Sequence, residues 1–84
     1  MIETITTKSG YTVSVETDKL DNMEFVDALA KLQTDDLELP HVVDMILAAE
    51  DKARLYDHVR ENGRVPISKF TEEFGEILKL LGKN

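Results

Sequence analysis

The chain has no cysteine, so neither a disulfide nor a thiolate zinc site can supplement its core. That absence fits a reducing, cytosolic setting. Long apolar runs are missing too, and no stretch approaches the roughly 20 residues that a membrane-spanning helix needs. The opening MIETITTKSG lacks a basic segment followed by an apolar one, which predicts no signal peptide. Basic charge is scarce in the first part of the chain. Residues 1–50 hold eleven acids and three bases, residues 51–84 six acids and seven bases, and the whole carries −7. Such an excess repels phosphates and anionic lipid, so neither nucleic acid nor a membrane is an expected partner. The unequal halves permit head-to-tail attraction between copies, whose long-range part salt screens. With 84 residues the chain forms one domain, 1–84, that buries roughly two-thirds of its unfolded surface.

What is present begins with alternation. Tyr11, Val13 and Val15 alternate with Thr12, Ser14 and Glu16, and Ile5 shares a face with Met1. This pattern predicts a β-hairpin over 1–16. A three-residue loop, Lys8-Ser9-Gly10, pairs Ile5 with Val13 and Thr7 with Tyr11. A two-residue turn would set Ile5 against Ser14 instead. A lone hairpin is marginal, so its apolar face must lie on helices, and its open edges offer sites for strand addition.

Four helices follow. Asp21 and Glu24 form a capping pair for 22–33, along which Phe25, Val26, Leu29 and Leu32 recur at helical spacing, with Met23 and Ala30 alongside. Pro40 opens 40–48, with Val42, Val43, Ile46 and Leu47 as its apolar face. The apolar phase shifts at Ala48-Ala49, which favours a corner before a third helix at 50–62. A single bent helix would reduce the count to three. Gly63 ends the third helix through a positive φ, and Pro66 precedes the last helix at 67–81. Ile67, Phe70, Phe74, Ile77 and Leu81 form a seam spaced three, four, three and four, with Leu78 beside it. The fold class is α+β: an N-terminal hairpin, then three or four packed helices.

The residues that could carry chemistry do not assemble into a known pattern. His41 and His58 lack an HxxxH partner and read as surface or structural. Asp35-Asp36-Leu37-Glu38 lacks the ligand alternation of a calcium loop. Glu72, Glu73 and Glu76 read as a solvated helix face beside Lys69 and Lys79. No nucleophile elbow, phosphate loop or dinucleotide fingerprint is present. Hence no catalytic, cofactor-binding or metal residues are assigned, and no enzyme is expected. Arg54, Arg60, Arg64 and Lys69 are interleaved with acids and read as a mixed surface. Gly75 lies within the last helix, where glycine costs roughly 1 kcal/mol against alanine. With Leu80, off the main seam, it marks either close contact on a second helix face or a tolerated glycine and a frayed end.

Taken together, SGYTVSVE, DNMEFVDALAKL, VVDMILAAED and KARLYDHVRENGRVPISKFTEEFGEIL resemble the small tail assembly chaperones of long-tailed phages and prophages of Gram-positive bacteria. The last stretch, with its Gly-Arg-Val-Pro corner, is the most specific. Ala48-Ala49 departs from the glycine expected at the helix–helix corner. The resemblance implies a non-catalytic protein of the host cytoplasm, absent from the finished virion. Such a protein binds the tape measure protein, keeps it soluble and assists tail tube assembly, with the tail tube protein as a second partner. Family members are commonly made in a short and a frameshifted long form. On this reading Phe70, Phe74, Gly75, Ile77, Leu80 and Leu81 are the partner-binding candidates, with Gly75 and Leu80 the better ones, and self-association is expected on the same grounds. The competing expectation is a small acidic regulator or inhibitor that uses the −8 half as a charged face.

Overall fold

Alternation in the first sixteen residues becomes an antiparallel pair, β1 (Ile2–Thr6) and β2 (Thr12–Glu16), in the computed structural model, which describes residues 1–82. Ile5 pairs with Val13, and Thr7 N donates to Tyr11 O at 2.9 Å, so the three-residue loop sets the register. Gly10 turns the loop at φ +100°, a conformation that other residues reach only with strain. Ile5, Tyr11, Val13 and Val15 are buried on one face. On the other, Thr4 meets Ser14 at 2.7 Å and Thr6 meets Thr12 at 2.9 Å through their hydroxyls. Met1 does not join Ile5. It is exposed, as is Glu3, so burial on β1 is confined to Ile5 and the Thr7 that follows.

A 3-10 turn at Thr17–Leu20 leads to α1 (Met23–Leu32). Its cap is Asn22 rather than Asp21: the Asn22 carboxamide oxygen accepts from Glu24 N at 3.0 Å. A second 3-10 turn, Asp36–Glu38, is capped by Asp35 and runs into α2 (Leu39–Ile46), which carries Pro40 in its first turn. Leu47 and Ala48 are extended, and α3 (Ala49–Val59) begins there. The corner expected at Ala48-Ala49 is present without glycine.

The end of α3 differs from expectation. The helix stops at Val59, not at residue 62, because Arg60 is extended. Glu61 and Arg64 exchange both backbone hydrogen bonds, at 2.8 and 3.1 Å, around Asn62 (φ +53°) and Gly63 (φ +81°). Two successive positive φ values make a tight reverse turn of the kind that Asn-Gly favours. Gly63 therefore supplies the positive φ in a turn of its own and does not cap the helix. Pro66 O then accepts from Phe70 N at 3.0 Å and starts α4 (Ile67–Gly82).

The hairpin's apolar face, α2, α3 and α4 close on one core, with Val42, Ile46, Leu55, Phe74 and Ile77 at its centre. α4 lies against β1 and α3, while α2 sits between α1 and α3. Phe70 stacks on Phe74 at 6.1 Å between centroids and meets Tyr56 edge-on at 5.3 Å. Among the described residues, no helix is long and apolar enough to cross a membrane.

Candidate interaction surfaces

Four of the six candidate partner residues on α4 serve the fold. Phe70, Phe74, Ile77 and Leu81 are buried, and Leu80 is half-buried against the same core. Gly75 is exposed, and nothing lies within 4 Å of where a Cβ would stand. Among the described residues nothing packs on that position, so intramolecular packing there does not account for the glycine. Ile67 leaves the seam. It occupies the first turn, ahead of the Tyr56–Phe70 contact, and is 78 % exposed. The seam therefore begins at Phe70.

The carboxylates of α4 divide. Glu73 lies one turn from both Phe70 and Ile77, on the inward face, and is only 9 % exposed. A carboxylate so placed requires donors. They come from the hairpin loop: Thr7 Oγ1 donates to Glu73 Oε2, and Ser9 Oγ donates to the same oxygen at 2.7 Å. Glu76 accepts from Lys8 N at 2.9 Å. The solvated face expected of Glu72, Glu73 and Glu76 is thus corrected for two of its members, which anchor the loop instead.

From α3, His58 Nε2 lies 2.8 Å from Ser9 Oγ, and its ring is 5.6 Å from that of Tyr11. The Tyr11 hydroxyl donates to Asp51 O at 2.7 Å. Arg54 stands over the Tyr11 ring at 5.2 Å, donates to Thr12 O at 3.2 Å and pairs with Asp51 at 2.9 Å. Burial raises the Tyr11 pKa, with Arg54 opposing, while the hydrogen bond to Asp51 raises that of Arg54.

These side chains border an open depression of about 470 Å³, lined by Gly10, Tyr11, Thr12, Arg54, Asp57 and His58. Ser9 and His58 touch there, but Ser9 directs its proton to Glu73. A nucleophilic serine needs a carboxylate behind the histidine and amides free to hold an oxyanion. Here the carboxylate is on the serine. The amides of Lys8, Gly10 and Tyr11 are bonded to Glu76, Thr7 O and Thr7 Oγ1. This geometry fastens a loop to two helices. Among the described residues, no three carboxylate or imidazole groups converge on a point that could hold a metal ion. Around the α3–α4 corner, Arg60 pairs with Asp57 at 3.2 Å and Lys69 with Glu61 at 2.6 Å, so with Arg54 on Asp51 three of the four bases grouped there have acidic partners.

The outer face of α1 is different. Its inward face carries Phe25 and Ala28, with Leu29 and Leu32 half-buried. A second apolar row, Met23, Val26 and Ala30, spaced three and four, is exposed, with Met23 at 69 % and Val26 at 48 %. Leu37, in the turn packed against α1, is 87 % exposed. The sequence reading sets Val26 on one helical spacing with Phe25, Leu29 and Leu32, and places Met23 and Ala30 alongside. The signal against that was present: Met23, Val26 and Ala30 repeat at helical spacing out of phase with Phe25, Ala28 and Leu32. Comparison with protein-family models, with curated proteins and with solved structures gives no match for this chain.

Proposed function

We propose that this chain is a tail assembly chaperone that binds the tape measure protein, holds it soluble while the tail tube forms around it, and acts in the host cytoplasm without entering the finished virion. The observation that carries the reading is the uncovered apolar row of α1 on an acidic chain, which pairs a surface for apolar client segments with net charge that opposes aggregation. The resemblance over KARLYDHVRENGRVPISKFTEEFGEIL supports it, since that stretch forms the α3–turn–α4 unit on which the hairpin is seated. No chemistry is required of such a protein. Its task is to cover, and then to be displaced.

The test is aggregation of the tape measure protein diluted from denaturant, followed by light scattering with and without an equimolar amount of this chain. Suppressed scattering at near-stoichiometric ratio is the expected result. Scattering unchanged at several-fold excess overturns the reading. A small acidic inhibitor is the second reading, favoured by the unpaired acids around α1. It differs in gene context, because a chaperone gene lies just before a very long helical reading frame and overlaps a second frame.

A further inference from the structure

We infer that the outer face of α1 docks a basic amphipathic helix. The inference deepens the chaperone reading and rests on it for the identity of the client. Met23, Val26 and Ala30 form one row along α1, open to solvent over its length. The helices and hairpin that close the core leave this row uncovered. Charge selects the occupant. Asp21, Glu24, Asp27, Asp35 and Asp36, on α1 or within four residues of its ends, are all exposed, and none has an ion-pair partner among the described residues; the one base on α1, Lys31, leaves the acids in excess. Elsewhere four acids are neutralised locally, Asp44 by Lys52, Asp51 by Arg54, Asp57 by Arg60 and Glu61 by Lys69, while Glu3, Glu50 and Glu72 are exposed without an ion pair but occur singly rather than as a group. An apolar row with an unbalanced acidic border complements a helix with an apolar stripe flanked by Lys or Arg. An acidic or neutral helix would meet repulsion or gain nothing at the rim.

The test titrates the ¹⁵N-labelled full chain with an amphipathic Leu/Lys helix of roughly five turns and, separately, with its Leu/Glu counterpart. The expected result is amide shifts confined to α1 and the turn that follows, with the Leu/Lys peptide only. Met23→Ser with Val26→Ser lowers affinity about tenfold, the scale of a modest loss of apolar contact. Glu24→Lys with Asp27→Lys lowers it comparably without touching the apolar row. Ile67→Ser, exposed on α4, leaves it unchanged. Equal binding of the Leu/Glu peptide, shifts spread over the molecule, no binding, or wild-type affinity in both double variants overturns the inference. The two claims separate with the tape measure protein itself. A client held as well by the Met23→Ser/Val26→Ser chain as by the wild type sinks the face and spares the chaperone. A client not held by the wild type, with the Leu/Lys peptide still mapping to α1, does the reverse.

Discussion

Removing the Glu73 carboxylate leaves the Thr7 and Ser9 hydroxyls facing a gap beside buried apolar atoms. Glu73→Ala is expected to cost about 1–3 kcal/mol, the range for a buried polar group stripped of its partner. Glu73→Gln, which keeps an acceptor oxygen, is expected to cost less. Urea denaturation at constant slope measures both. Tyr11→Phe removes one hydrogen bond, to Asp51 O, and is expected to cost about 1 kcal/mol. Its pH signature has a definite sign. Burial raises the phenol pKa above its ordinary 10.0, so the folded state favours the protonated ring. That stabilisation is full below pH 10.0 and is lost as pH rises through the raised folded value. Stability should therefore fall less steeply with alkali in the Phe variant. Lys52 and Lys69, raised by hydrogen bonds to Asp44 and Glu61, still titrate with the same sign. At this scale the hairpin core was legible, because period-two alternation marks Tyr11, Val13 and Val15 unambiguously. Glu73 was not. A carboxylate reads as solvent-facing, and its donors lie 66 and 64 residues away in sequence.

Helix α4 carries both the most regular pattern in the chain and its least explained residue. Its start follows from Pro66 and its inward row from Phe70 follows from spacing. Gly75 sits inside that unbroken helix, on an exposed face with open space around it. Gly75→Ala should stabilise the fold by about 0.8–1 kcal/mol, because alanine restricts the unfolded chain and favours helix. A melting temperature that rises in the variant verifies this, and one that falls shows that the glycine has a packing role. Where element boundaries were misjudged, the cause was local hydrogen bonding. The Asn62-Gly63 turn takes residues that the helical pattern assigns to α3, because paired positive φ values let Glu61 and Arg64 bond each other. The two 3-10 turns, at Thr17–Leu20 and Asp36–Glu38, are too short to leave a periodic signal.

Viewed whole, the molecule separates its charges by role. Glu73 and Glu76 of α4 fasten the hairpin loop, while the Asp51 and Asp57 carboxylates pair along α3 with Arg54 and Arg60. Around α1, Asp21, Glu24, Asp27, Asp35 and Asp36 have no ion-pair partner among the described residues, beside an apolar row that no other described element covers. Sequence composition gave the charge asymmetry but not its meaning, since pairing depends on which elements meet. The α4 seam, the natural first choice for a partner site, is largely occupied by the hairpin and the other helices, and this shifts attention to the outer face of α1. The most direct test of the account is the soluble fraction of the tape measure protein on co-expression, with this chain, without it, and with the Met23→Ser/Val26→Ser chain. The account predicts a soluble client with the wild type, and an insoluble one both alone and with the double variant. A client equally soluble, or equally insoluble, with and without the wild-type chain would contradict it.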